Sequence, residues 1–437
     1  MSIMKASLAL LLFALFTGVP PLPISAQETP PAAEPRQEDA LRVFLDCSDF
    51  SCDMTFFRTE INFINHVRDR QDADVHVLIT TQRTGAGGTE YTLNFIGLRN
   101  FRGTEDVLRY LSQPAESEDR VRRGLASTVT RGLVRYINQT PLASRLQITY
   151  AAPRQQTVPQ AAAQDRWNYW TFRTGINGFF NGEQAFGSKN FSGSLAANRI
   201  TEDWKITTSV NSRYSESRFD IGDRTVTNLQ RNHGANALVA RSLNGHLSAG
   251  VRGTATSSTF LNQALALRLA PAVEYNIFPY AESTRRQLTF QYSLGATAFD
   301  YREETIFGQT AETLMDHRLI TSLSLKQPWG SINTALEGGH YLHDFSKQRG
   351  TLFTNVDLRI FRGFALQTFG NVELIRDQIH LPRRGASEEE ILLRQRQLAT
   401  SYRYWGSVGL SYTFGSPFAN IVNPRFSGSS GGVVFTN

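Results

Sequence analysis

The sequence predicts two unlike parts in one chain, an α+β domain followed by an all-β antiparallel transmembrane barrel of about twelve strands. Between residues 41 and 150, apolar runs with alternating spacing and with helical spacing succeed one another. Between residues 166 and 414 the period drops to two, in long stretches bounded by turn residues. Those stretches exceed the roughly 9 to 11 residues that a tilted strand needs to cross a hydrocarbon layer. The composition agrees. Of 437 residues, 19% are charged, 11% are aromatic and 2 are Cys, which excludes a helical membrane protein and a disulfide scaffold.

The chain opens with Lys5, an apolar run from Leu8 to Phe16 and a breaker-rich approach to Ala26. That pattern predicts a signal peptide over residues 1–26 and therefore export. Residues 27–40, with Pro30, Pro31 and Pro35, and residues 151–165, with Pro153, Pro159, Gln155 and Gln156, lack the apolar content to fold and are read as linkers.

Between the linkers, Leu41 to Leu45 fits a buried strand. Phe56, Phe57, Ile61, Phe63, Ile64 and Val67 predict a helix over 55–70. Residues 73–82 alternate through Val75, Val77 and Ile79, TGAGGT (84–89) supplies a hairpin loop, and 90–98 returns as a strand. Val121, Leu125, Val129, Leu133 and Ile137 predict a helix over 117–138. The glycines at 85–88 do not make a phosphate loop, because no GK[ST] follows and the next element is a strand. The succession ADVHVLITTQ, glycine turn, EYTLNFIG and RVRRGLASTVTRGLVRYI resembles the N-terminal periplasmic domain of TolB and its CsgG-like relatives. The likeness covers about a quarter of the chain and implies a binding or docking domain that meets a periplasmic protein through residues 41–150.

Cys47 and Cys52 stand in DCSDFSCD. In an exported chain their spacing predicts a disulfide. A metal site built from these thiols with Asp46, Asp49 and Asp53 would lack His and a second ligand cluster, so neither metal nor cofactor is expected.

In the second part, Leu265, Leu267, Leu269, Val273, Tyr275 and Ile277 share one parity, and Arg268, Glu274 and Asn276 fall on the other. Residues 287–298 and 352–361 repeat the pattern. Counting such runs predicts strands near 167–180, 191–201, 203–216, 229–243, 245–259, 263–278, 285–301, 313–327, 329–344, 350–361, 363–378 and 398–414. Short connections (201–203, 243–245, 279–285, 327–330, 361–363) follow even-numbered strands. Longer ones (217–228, 303–312, 381–397) follow odd-numbered strands, with 260–262 a short exception. An even count places both barrel ends on the short-turn side. Trp167, Tyr169, Trp170, Trp204, Tyr275, Phe278, Tyr280, Trp329, Phe361, Phe364, Tyr412 and Phe414 gather near that rim as an interfacial girdle would. A soluble β-sandwich would need shorter strands and an apolar core in place of the polar parity.

The closing strand SVGLSYTF, ending in Phe414, resembles those of Gram-negative outer-membrane β-barrels. The resemblance implies contact with outer-membrane lipid over residues 166–414 and an N-terminal domain in the periplasm. The chain departs from that pattern in continuing through residues 415–437, expected to form a loosely ordered periplasmic tail.

Assigning the polar parity inward lines the lumen with Arg173, Lys205, Arg213, Arg252, Arg268, Arg318, Lys326, Arg359 and Arg403 against Glu274, Glu337, Asp357 and Glu373. Two readings stay open: a narrow channel for small anionic solutes, similar to twelve-stranded acidic-oligosaccharide porins, or side chains that pair across the lumen and plug it. His246-Leu247-Ser248 resembles the His-x-Ser pair of outer-membrane phospholipase, but at the opposite rim and on the inward parity. His233 is followed by Gly234 and Ala235 where that family needs a serine. No residue is therefore assigned a catalytic role. Nucleic acid is not expected, since apart from Arg120, Arg122 and Arg123 the arginines are dispersed. The sequence thus points to a non-enzymatic outer-membrane barrel that anchors a periplasmic interaction domain, with or without a small anion-favouring pore. A passive channel gated by that domain is the alternative, and an outer-membrane lipid hydrolase a third.

Overall fold

The structure is a computed structural model and describes residues 40–47, 52–85, 87–147, 165–385, 390, 393, 395–423 and 425. The expected signal peptide, nearly all of both linkers and residues 426–437 lie outside the described residues.

The first part has β1 (Arg42–Cys47), α1 (Met54–Glu60), β2 (Asn65–His66), β3 (Val75–Arg83), β4 (Thr89–Gly97), β5 (Glu105–Ser112) and α2 (Glu118–Ile137). The sheet runs β2-β1-β3-β4-β5, parallel where β1 meets β2 and β3 and antiparallel beyond. Every second residue of the central strands (Val43, Leu45; Val75, Val77, Ile79; Leu93, Phe95) joins one core with Phe57 of α1 and Leu125, Val129, Leu133 and Tyr136 of α2. Both helices thus cover the same face of the sheet. A Cβ at Gly132 of α2 would stand 2.0 Å from the Phe95 ring, so this contact requires a glycine.

Two expectations for this part are corrected. The helix expected over 55–70 ends at Glu60. Ile61, Ile64 and Val67 do enter the core side, but through a tight turn. There, Asn65 donates to the Ala40 carbonyl, and the His66 ring bonds the Ile61 carbonyl at 2.9 Å. Local side-chain bonds of this kind compete with helix propagation. The sequence also hid β5, because Val107 and Leu111 lie on its exposed parity while Leu108 and Tyr110 pack toward the core, so both parities carry apolar residues.

Cys47 and Cys52 are joined as a disulfide at the end of β1. Closing so short a loop stabilises by about 2 kcal/mol through the entropy of the unfolded chain. Reduction should lower the domain's unfolding free energy by that amount and shift its urea midpoint down accordingly, which urea melts with and without reductant measure; an unchanged midpoint would remove the disulfide's structural role.

The second part is one antiparallel sheet of twelve strands: β6 (Trp170–Gly182), β7 (Phe186–Ile200), β8 (Trp204–Ile221), β9 (Arg224–Ser242), β10 (Leu247–Ser258), β11 (Gln263–Asn276), β12 (Arg286–Tyr301), β13 (Ala311–Gln327), β14 (Gly330–Tyr341), β15 (Asp344–Phe361), β16 (Phe364–Ile375) and β17 (Tyr402–Tyr412). Each strand pairs with its neighbours in sequence; β6 and β17 are the two edges and the sheet is not closed. The expected asymmetry of connections holds only in part. Those after β12 and β16 are long, but the residues expected as a loop at 217–228 are strand down to a turn at Gly222 and Asp223. The link between β14 and β15 is equally tight. Gly222 supplies the positive φ of +60° that such a two-residue turn needs.

Candidate functional site

Register fixes which side chains share a face. One rung runs Arg173, Ala196, Ser209, Asn236, Thr254, Arg268 and Thr297 across β6 to β12. Followed in this way, all nine cations expected in the lumen fall on one polar face, together with Glu274, Glu337, Asp357 and Glu373. The other face presents exposed large apolar side chains such as Leu195, Val210, Leu267, Leu269, Tyr292, Leu336 and Leu410. A hollow of about 910 Å³ follows mainly this apolar face over β6 to β13, whereas the charged chemistry lies on the opposite side.

The polar face divides in two. On β11 to β17 the arginines of this face are paired. Arg268 meets Asp316 at 2.7 Å, Arg318 meets Asp316 at 2.9 Å and Glu337 at 3.4 Å, and Arg403 meets Glu373 at 2.8 Å. Asp316 and Arg349, which complete this network, were missed in the sequence, although each shares the parity of an assigned neighbour, Arg318 and Asp357. On β6 to β10 the polar face carries no acid at all, and Arg173, Lys205, Arg213 and Arg252 make no ion pair among the described residues; nor does Lys326. Their neighbours are hydroxyls and amides, among them Asn198, Thr207, Ser209 and Asn236. Counted along β8 from Lys205, Arg252 lies level with Thr207, Arg173 with Ser209, and Arg213 lies four residues beyond Ser209. At about 3.3 Å per residue, the four cations succeed one another at intervals of about 7, 7 and 13 Å along the strand direction.

Both ends of this face are covered. At the end away from the short turns, the connection after β16 reaches over several strands. Pro382 bridges to Thr305, Gln397 donates to the Phe260 carbonyl, Asn228 donates to the Leu393 carbonyl, and Arg396 forks onto Glu303 at 2.8 and 3.0 Å.

At the short-turn end lies the first domain. The face of its sheet without helices carries Asp46, His76, Leu78, Thr80, Thr92 and Asn94, all buried. Its contacts go to the polar side of the large sheet. The Arg359 guanidinium forks onto Asp46 at 2.5 and 2.6 Å, and Asp46 is 3% exposed. Behind it, His76 bonds the same carboxylate at 3.0 Å. Arg362 pairs with Asp72, the Gly363 amide donates to Asp69, and the Thr171 hydroxyl donates to the Gly85 carbonyl. The domain therefore touches β6 on one flank and the β15–β16 turn on the other.

The expectation of a loosely ordered tail is corrected for its first residues. The Arg68 amide donates to the Pro417 carbonyl and the Ala419 amide to the His66 carbonyl, so residues 417–419 add to the free edge of β2. An edge strand's unpaired backbone groups account for this.

Burial raises the Asp46 carboxyl, but bonds from His76 and Arg359 outweigh it and hold it below its ordinary value of 3.8. Burial pushes His76 and His66 below the ordinary 6.5, despite Asp46 beside His76. The groups facing His76 are Asp46, Arg359, Arg70 and the Phe44 ring. The unfolded chain binds protons near pH 6.5 that these two imidazoles refuse when folded, so stability falls as pH drops below about 6.5, and Asp46 adds to the loss only below its ordinary value. Protease protection of residues 41–147 should be flat above pH 7 and decline toward pH 5; protection that rises on acidification would contradict neutral buried imidazoles.

The phospholipase-like triplet is not assembled as a nucleophile and base. His246 Nδ1 bonds the Asn276 carbonyl at 2.8 Å, and no bond joins it to Ser248 among the described residues. A different Ser–His pair is in hydrogen-bond contact. The Ser212 hydroxyl and His233 Nδ1 are 2.9 Å apart on the apolar face, in direct cross-strand register. Local sequence spacing could not reveal it.

No family model and no curated protein matches the chain. Among solved structures it is similar to a NanC porin, at 10% identity and a TM-score of 0.27 over 55% of this chain and 99% of that one. It is also similar to the translocator domain of the autotransporter NalP from Neisseria meningitidis, at 12% identity and a TM-score of 0.22 over 56% of this chain and 87% of that one.

Proposed function

We propose that this chain is an outer-membrane β-barrel whose N-terminal domain lies across the periplasmic mouth of a basic lumen, making it a domain-covered, anion-favouring channel. The buried Asp46–Arg359 fork carries the reading, because it fixes the domain to the polar face at the short-turn rim. The exposed apolar face supports a lipid-facing exterior, and in lipid the free edges of β6 and β17 would have to pair with each other. The acid-free wall of β6 to β10 supports anion preference, since unpaired cations against a low-dielectric wall attract anions. The clamp favours this reading over a domain merely tethered for docking. To test the preference, the barrel without residues 27–164 is recorded in a planar bilayer under a KCl gradient. The reversal potential should shift toward that of chloride, and cation preference would sink the proposal.

A second reading, lipid hydrolysis, is favoured by the Ser212–His233 contact alone, a nucleophile and base on the face turned to lipid. It requires phospholipid turnover by the refolded chain that Ser212→Ala abolishes.

A further inference from the structure

We propose that the polar face holds a binding site for a small zwitterion, of the charge pattern of a free α-amino acid, at the far end of β13 to β15. A cavity of about 150 Å³ opens there. Gly339 of β14 lies in register between Arg318 of β13 and Arg349 of β15. Two strand spacings place those arginines about 10 Å apart at Cα. A Cβ on Gly339 would stand 2.9 Å from Arg318 Cγ and 2.6 Å from the His317 carbonyl oxygen, so the absence of a side chain leaves open the space that the two guanidiniums border. Forked guanidiniums are the groups best matched to a carboxylate.

Acids stand beside them. Asp316 and Glu337 flank Arg318, and Asp377 meets Arg349 at 2.9 Å. Lys347 completes the charges, its ammonium 4.2 Å from the Phe307 ring centroid. Three cations and three acids leave the lining formally neutral, in contrast to the acid-free wall of β6 to β10. A neutral lining that presents both signs gives an anion no net attraction and complements a ligand that carries both. Tyr341 also lines the cavity, and its hydroxyl has no hydrogen-bond partner among the described residues, which leaves it to bond the ligand. The volume is about ten times the roughly 15 Å³ that a single water needs, room for a small organic ligand.

The site stands whether or not the lumen conducts, and binding is measured without a membrane potential. Saturation-transfer NMR on the chain without residues 1–26, refolded in micelles, would compare alanine, leucine and phenylalanine with propionate, 4-methylpentanoate and 3-phenylpropionate. At least one amino acid should bind, its deaminated partner about tenfold or more weaker because the acids are then left uncompensated. Arg349→Gln and Asp377→Asn should each weaken binding by a similar factor, with heat-modifiable gel migration unchanged. Binding by none of the three amino acids, equal binding of a carboxylate, or unchanged binding in both variants would overturn the proposal.

Discussion

Arg359→Ala should release the N-terminal domain from the barrel while leaving both parts folded. The substitution strands Asp46, 3% exposed, with His76 as its remaining partner. Removing one member of a buried pair costs about 3–5 kcal/mol, and the lower end applies here because the Arg359 side chain is itself 36% exposed. Among the remaining ties are an exposed pair at Arg362, the Asp69 and Gly85 bonds, the Arg68 guanidinium on the Phe414 and Gly415 carbonyls, Asn420 on Asn65 and His66, and the short strand at 417–419, each bond worth about 1 kcal/mol or less. Limited proteolysis in micelles should therefore cut the linker region faster in the variant, and the barrel should keep its heat-modifiable migration. Protection equal to that of the parent chain would mean that the fork does not hold the domain. Arg359→Lys should fall between, since an ammonium keeps the charge but not the fork.

Reversing charge on the open wall should have the largest effect on selectivity. Arg173→Glu with Arg252→Glu places two acids where the polar face of β6 to β10 has none. In the barrel freed of its domain, the reversal potential should fall from the chloride side toward zero, because the two acids then balance Lys205 and Arg213. Arg268→Ala should move it little, because that guanidinium is spent on Asp316, itself 4% exposed, and the loss appears as stability rather than selectivity. A selectivity change of equal size from Arg268→Ala would contradict the division of the face into paired and unpaired halves.

The sequence shows one half of this architecture well and the other poorly, for physical reasons. Period-two alternation is a local property, so the twelve strands and the common face of Arg173, Lys205, Arg213, Arg252, Arg268, Arg318, Lys326, Arg359 and Arg403 could be read without a structure. Asp46 and Arg359, by contrast, are 313 residues apart, and nothing in either neighbourhood announces the other. The same holds for Val67 with Phe418 and for Ser212 with His233, whose meeting depends on which strands are adjacent and in what register. Loop lengths misled at 217–228 because polar residues facing water can extend a hairpin as readily as they can form a loop. The helix expected over 55–70 failed for a related reason, since core-directed residues three or four apart fit a compact turn as well as a helix.

A domain seated across the mouth of a conducting lumen has one electrical signature. Single-channel currents would be recorded in the same bilayer from the chain without residues 1–26 and from the chain without residues 1–164. The expected result is a small or intermittent current from the first and a larger, steady one from the second. Equal conductance from both, with each shown to be folded, would contradict the domain as a cover and return it to the role of a docking module carried by the barrel.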